Sequence, residues 1–153
     1  MKDIIGYEDK YAVDEQGNVW SLNWKRTGRT QKLKPANDRG GYPCVSLHMN
    51  GKGKTLKIHR LMAEAYLSDF CKELDVDHID RDRQNNNLSN LRMVTKSQNQ
   101  WNTDAKGCHL CKTTGRWRAT IMKSFKTVNL GYFSTEKEAR QAYLNAKEVM
   151  HVI

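Results

Sequence analysis

The stretch from Asp75 to Asn102 constrains this chain more than any other. Val76 and Ile79 flank an Asp77-His78 pair in a short extended run, and Asn85-Asn86-Asn87 is turn chemistry, because Asn tolerates left-handed backbone angles. Leu88-Ser89-Asn90-Leu91-Arg92-Met93-Val94 returns apolar residues to the chain, so a hairpin-like turn is expected between the two runs. Thr95 then offers a hydroxyl cap to a helix starting near Lys96, and Gln98 can reach back to the Thr95 amide, a capping box. Asn99 falls in the first helical turn, from which it can point back at Asp77-His78, and Asn102 is expected to share its face. A carboxylate beside a histidine, a loop too polar for a core and amide side chains at a helix start make a one-metal hydrolytic site the preferred reading.

At these residues the chain resembles the HNH homing endonucleases, whose ββα-metal fold clamps two strands and a helix around one divalent cation. The resemblance rests on Asp77-His78, on Asn90 within Asn90-Leu91-Arg92, and on Asn99 after Thr95. It implies that His78 is the general base, that Asp77 and Asn99 are metal ligands, and that Asn90 braces the loop. Asn99 stands where many family members carry a last His, and its hard amide oxygen suits Mg²⁺ or Mn²⁺ better than Zn²⁺. Asp80 and Asp82 read as solvated loop carboxylates rather than ligands, and Asn102 as the weaker amide candidate.

Charge points to the same class of partner. The 153 residues carry 26 Lys and Arg against 17 Asp and Glu, a net +9 that favours polyanions, and nucleic acid is the natural one. No apolar run approaches the ~20 residues needed to cross a bilayer, and Met1-Lys2-Asp3 lacks the apolar core of a signal peptide. The chain is therefore expected to be intracellular, in the host cytoplasm if phage-encoded, with no membrane partner. Four cysteines then read as reduced thiols; Cys108 and Cys111 have metal-like spacing but lack the second pair a closed zinc site needs.

Ahead of this stretch, residues 1–67 read as strands and turns. Tyr11-Ala12-Val13 and Val19-Trp20-Ser21-Leu22 flank a turn at Gln16-Gly17-Asn18. Gly40 to Leu47 and Thr55 to His59 flank a basic tip at Asn50-Gly51-Lys52-Gly53. His59 to Tyr66 reads as a helix with Leu61, Ala65 and Met62 inward. Ile5-Gly6-Tyr7-Glu8, Tyr11-Ala12-Val13, Gly17-Asn18-Val19 and Ser21 resemble the short module found ahead of many HNH homing nucleases, and His59-Arg60-Leu61 a family segment that packs on the nuclease core. His59 is read as structural, since nothing near it in sequence supplies a second metal ligand. Lys25, Arg26, Arg29, Lys32 and Lys34 form a basic run that is either a solvated loop or a phosphate contact.

After a linker expected at 102–107, Arg116 to Met122 alternates like a half-buried strand, Thr127 to Phe133 is a second, and Ser134 to Glu138 opens a helix with Ala139, Ala142, Tyr143 and Ala146 at helical spacing. Trp117-Arg118-Ala119, Leu130-Gly131-Tyr132-Phe133 and Glu138-Ala139-Arg140 followed by Ala142-Tyr143 resemble the ethylene-response-factor type of DNA-binding domain over about 106–151. That resemblance implies a three-stranded sheet, backed by a helix, that lays its exposed face in the major groove. Arg116, Arg118 and Thr120 are expected on that face and Trp117, Ala119 and Ile121 against the helix, with His109, Cys111 and Asn129 near the family's base-contact positions. Several of that family's arginines are missing here, so its base specificity does not carry over.

The expectation is an α+β chain: a nuclease domain over 1–103, comprising the strand-rich N-terminal module and a ββα-metal motif at about 74–103, followed by a sheet-reading domain over 104–153. Its function would be metal-dependent hydrolysis of double-stranded DNA by a monomeric homing endonuclease that nicks. Arg81, Arg83 and Arg92 are expected to grip phosphates. A non-catalytic DNA-binding regulator on the same fold and a structure-specific or RNA-directed nuclease are the rivals.

Overall fold

The computed structural model describes residues 1–123 and 126–150. Its contacts divide into two compact units, Met1–Asn99 and Gln100–Ile153. In the first, β1 (Lys2–Asp3), β2 (Tyr11–Val13), β3 (Val19–Ser21) and β4 (Gln31–Lys32) form an antiparallel sheet in chain order. Asp14 makes its tight turn: one carboxylate oxygen accepts the backbone N–H groups of Gln16 and Asn18, and the other accepts the Asn18 amide and the Trp20 indole N–H. Next, β5 (Ala36–Asn37), β6 (Pro43–Met49) and β7 (Lys52–Lys57) form a second antiparallel sheet. Asn50 and Gly51 both adopt positive φ, 50° and 74°. They make a two-residue hairpin turn, so pairing runs on to Met49 and Lys52 and the expected four-residue tip is half strand.

Helix α1 (Ile58–Tyr66) buries Ile58, His59, Leu61, Met62 and Ala63. Ala63 lies deeper than Ala65, contrary to the expected stripe. The reason is that α1 touches β6 and β7 as well as the hairpin that follows, so its buried face is wider than that of a surface helix. Around it gather Ile4, Val13, Val19, Val45, Leu47, Val76 and Leu91 as one core. The Tyr66 hydroxyl donates to the Val13 carbonyl at 2.9 Å, which ties the helix end to the first sheet.

The hairpin itself is β8 (Asp75–His78) and β9 (Leu91–Val94), antiparallel, with Asp77 opposite Arg92 and His78 opposite Leu91. Then comes α2 (Lys96–Trp101), opened by the expected capping box: the Gln98 N–H donates to Thr95 Oγ1 at 3.2 Å and the Thr95 N–H to Gln98 Oε1 at 2.8 Å. The helix ends at Trp101, so Asn102 lies past it and does not share the face of Asn99.

In the second unit β10 (Cys108–Cys111), β11 (Arg116–Lys123) and β12 (Lys126–Phe133) form an antiparallel sheet packed on α3 (Glu136–Met150). A second capping box starts α3, between Thr135 and Glu138. Cys108, Ala119 and Ala139 are the buried centre, flanked by Trp117, Leu130, Phe133 and Ala142, so Trp117 packs rather than projects. The segment expected as a linker is tied down inside this unit: Lys106 pairs with Glu136 at 2.7 Å, Lys147 donates to the Thr103 carbonyl, and Arg140 reaches the Ala105 carbonyl. Cys108 and Cys111 lie three apart on one strand, which sends their side chains to opposite faces. Among the described residues no cysteine is bridged and no helix is long and apolar enough to cross a membrane.

Gly107 marks how tight the second unit is. It has φ +68°, and a Cβ added there would lie 2.1 Å from the Tyr143 ring. Gly107→Ala should therefore cost this unit about 2–4 kcal/mol through overpacking and left-handed backbone strain, seen as a lower melting temperature; an unchanged melt would mean that Tyr143 is not packed beneath this residue.

Candidate active site

The hairpin, the loop between its strands and α2 bring together most of the residues singled out in sequence. Asp77 and His78 are successive on β8, so they face opposite sides of the ladder. Both are nearly fully buried. Asp77 is held from across the ladder by Arg92, whose Nε and Nη2 donate to Oδ2 at 3.0 and 2.8 Å. A buried carboxylate needs such a partner, because desolvation without one is costly. Arg92, expected on a phosphate, is thus engaged with Asp77.

Asn99 does point back at β8, but the residue it reaches is Asp75. Its Nδ2 donates to Asp75 Oδ2 at 3.2 Å. Asp75 and Asp77 are two apart on one strand and share a face, so α2 sits beside the face that carries both carboxylates. Asp75 was not singled out in sequence; its period-two spacing from Asp77 was the available signal.

On the other side, the His78 ring is enclosed by a loop and a helix. Its Nε2 lies 3.2 Å from Asn86 Oδ1. The ring of His59, on α1, meets it edge-on with centroids 5.2 Å apart, and Tyr42 packs on His59 at 4.9 Å. His59 is structural, as expected, yet it is part of the wall of this site, which its sequence neighbours did not indicate. Its Nδ1 is buried without a hydrogen-bond partner. Burial first, and then the positive charges of His78, Lys57 and Arg60, push its pKa down to about 3. His59 is therefore a neutral ring at physiological pH.

The loop is held by side-chain amides. Asn90 accepts the Asp80 N–H at 3.0 Å and donates to Asp80 Oδ1 and the Asn85 carbonyl at 2.9 and 2.8 Å. Asn85 donates to the second Asp80 oxygen at 2.7 Å. Asp80 is therefore a fastening of the loop and not merely a solvated carboxylate. Hydrogen bonds from Asn85, the Asp82 backbone and Asn90 hold its pKa below the usual carboxylate range. Asp82 accepts the Gln84 N–H. Arg83 donates to the Gly40 carbonyl at 2.6 Å and lies 4.9 Å over the Tyr42 ring; Arg81 is exposed in the loop with φ 68°.

For a divalent cation, the side chains that fit are Asp77 and Asn99, with Asp75 beside them: hard carboxylate and amide oxygens, suited to Mg²⁺ or Mn²⁺. Among the described residues no three His, Cys, Asp or Glu gather around one point.

On the second unit, register places His109 opposite Arg118 and Arg118 opposite Tyr132, with Cys111 opposite Arg116 and Thr120 opposite Asn129. These rows share the face away from α3. A bulge beside Ala119 and Thr120 leaves Leu130 as the extra residue, which packs into the core. Arg118 donates to Asn129 Oδ1 at 3.4 Å and lies 5.9 Å over the Tyr132 ring. Tyr132 was missed in sequence as a member of this face, because the bulge changes which residues of β12 point outward.

The strand carrying Asp77 and the buried His78, the loop after it and the helix carrying Asn99 lie within a stretch that known proteins resemble. Residues 56–101 match the HNH endonuclease family and residues 2–48 the NUMOD4 motif. The chain is 40% identical over 106 residues to DNA endonuclease I-HmuI of Bacillus phage SP01, an alignment covering 69% of this chain and 58% of that protein. It is 34% identical over 122 residues to the H-N-H endonuclease F-TflI of Escherichia phage T5, covering 72% and 58%. A solved structure described as DNA binding and cleavage by the HNH homing endonuclease I-HmuI superposes with a TM-score of 0.61 at 29% identity, over 92% of this chain and 80% of that one. Together these matches make the chain similar to HNH endonucleases over residues 56–101 and to the HNH homing endonuclease I-HmuI in sequence and fold. The chain spans about 58% of the length of the two phage proteins. The family-model matches end at residue 101 and do not include the C-terminal unit, whose resemblance to ethylene-response factors is expected from its sequence.

His59 supplies a pH test of this packing. Its folded pKa is depressed, so below 6.5 the unfolded chain binds a proton that the folded chain refuses down to about 3. Its contribution to stability is complete above pH 6.5 and is lost on acidification, by up to about 1.4 kcal/mol per pH unit. Urea unfolding between about pH 6.5 and 5.5, above most of the carboxylate titration, should show this slope in the wild type and less of it in His59→Phe. Equal slopes would mean that His59 takes up its proton in the folded state.

Proposed function

We propose that this chain is a divalent-metal-dependent endonuclease that hydrolyses a phosphodiester of double-stranded DNA at a recognised site, as a monomeric homing endonuclease that nicks. The observation that carries the reading is the buried His78 beside Asp77, with Asn86 on its ring and Asn99 turned toward the same strand. In this reading His78 takes the proton from the attacking water as general base. Asp77 and Asn99 would hold one Mg²⁺ or Mn²⁺, which supplies charge stabilisation at the scissile phosphate and leaving oxygen. Arg92 keeps the Asp77 carboxylate oriented, and Asn90 keeps the loop closed over the base. Arg81 and Arg83 stand on the exposed loop, where phosphates can reach them.

Residues 1–103 would be the nuclease and 104–153 the reader. The second unit carries nine Lys and Arg against four Asp and Glu over 104–153. Its outward rows Arg116, Arg118, Thr120, His109 and Asn129, now joined by Tyr132, would present two guanidinium groups, one amide and a phenol ring to a groove. The exposed basic run Lys25 to Lys34 suits a phosphate backbone as well. An intracellular setting, where duplex DNA is available, belongs to the same proposal. One observation favours a non-catalytic DNA-binding regulator instead: the Arg92 pair occupies an oxygen of Asp77.

The same assay decides between them. With Mg²⁺, supercoiled plasmid carrying the site should go first to open circle, and His78→Ala should lower the rate by about 10²–10⁴ with DNA affinity nearly unchanged. Wild-type cleavage by a folded His78→Ala protein would move the active site elsewhere, and linear product appearing first, with a rate rising as the square of protein concentration, would favour a dimer that cuts both strands.

For the reader, Arg116→Ala and Arg118→Ala should each flatten the log–log salt dependence of binding by about 0.9 if the residue neutralises one phosphate. An unchanged slope with unchanged site preference would take the sheet face out of the interface.

A further inference from the structure

Asn86 reads from the sequence only as part of a turn, yet its side chain reaches the ring of His78. Its side chain is buried, and its Oδ1 lies 3.2 Å from His78 Nε2. The direction of that amide is decided by its other end. Asn86 Nδ2 donates to the Gln84 carbonyl at 3.2 Å and to the Arg83 carbonyl at 3.5 Å. Turning the amide over would set Oδ1 against two carbonyl oxygens and bring Nδ2 to the ring. With Oδ1 facing the ring, the group can only accept, so His78 Nε2 must carry the hydrogen.

The backbone around Asn86 is fixed too. Its N–H donates to the Gln84 carbonyl at 3.1 Å, and the Leu88 N–H donates to the Glu15 carbonyl at 3.2 Å, joining the loop to the first hairpin turn. Gly17 of that turn lies so close that a Cβ would stand 3.0 Å from Asn86 Cβ. The loop can approach this closely because Gly17 has no side chain.

We infer that Asn86 is a positioning residue that holds His78 as its Nε2–H tautomer and so places the basic lone pair on Nδ1. The inference rests on His78 being the general base, but the tautomer itself can be measured without any cleavage. Losing this acceptor removes the preference that Asn86 imposes for hydrogen on Nε2, and only the Nε2–H form carries its basic lone pair on Nδ1. Asn86 never touches substrate in this scheme; it acts through the ring.

The test is long-range ¹H–¹⁵N NMR of the metal-free full chain at alkaline pH, with the His78 ring assigned by its loss in His78→Ala. The wild type should show a protonated Nε2 and an unprotonated Nδ1. Asn86→Leu, which removes the acceptor at similar volume, should show hydrogen shifted from Nε2 toward Nδ1. In cleavage, Asn86→Leu should lower kcat by about tenfold or more with KM unchanged. A wild-type ring protonated on Nδ1 overturns the inference, and so does an Asn86→Leu protein with wild-type tautomer and kcat. If Asn86→Leu does not fold, the wild-type spectrum decides alone. Wild-type cleavage by His78→Ala would instead sink the general-base reading and leave the tautomer result standing.

Discussion

The nuclease-like site depends on a carboxylate that is almost completely out of water. Asp77 is 6% exposed, and its charge is compensated across the ladder by the Arg92 guanidinium with two hydrogen bonds to one oxygen. Such a pair is worth little as net stabilisation, but removing one partner strands the other. Its consequence is register. Asp77 meets Arg92 only if Asp75 meets Val94 and His78 meets Leu91, and a slip of one residue would turn every side chain of the hairpin to the opposite face.

Given that register, the rest of the site follows from the two-residue period of a strand. Asp75 and Asp77 share the face beside which α2 carries Asn99, while His78 turns toward α1 and the loop. The loop spans from one strand to the other without an apolar core of its own. It substitutes a network in which the amide nitrogens of Asn85, Asn86 and Asn90 donate to Asp80 and backbone carbonyls. Buried polar networks hold one geometry when every member is satisfied. A base whose ring leans on that network inherits its geometry.

The second unit solves a different problem. Its sheet is covered on one side by α3 through small residues, Ala119 and Ala139, that let helix and sheet approach closely. The other side is left with Arg116, Arg118, Thr120, Asn129 and Tyr132 in rows set by antiparallel pairing and one bulge. Cations over an aromatic ring on an open sheet suit a polyanion with stacked planar bases, which is the partner that the net charge of +9 also favours.

Local chemistry was legible in the sequence. The turn at Gln16-Gly17-Asn18, the Thr95–Gln98 capping box, the hairpin around Asn85-Asn86-Asn87 and the alternation of Arg116 to Met122 are all short-range patterns, and each appears where its residues predict. The resemblance to HNH endonucleases was legible as well, because Asp77-His78, Asn90 and Asn99 lie within one continuous stretch, 56–101, that the family model matches. What only the tertiary structure decided are contacts between residues distant in the chain or dependent on side-chain direction. Asn99 finds Asp75 because helix and strand orientation, not spacing, selects the partner. Arg92 is committed to Asp77 because a ladder pairs residues fifteen apart. His59 enters the wall of the site because α1 packs across the hairpin, and Asp80 becomes a fastening because Asn85 and Asn90 close on it from both sides. Sequence specified which groups were available; burial and pairing decided which of them face one another.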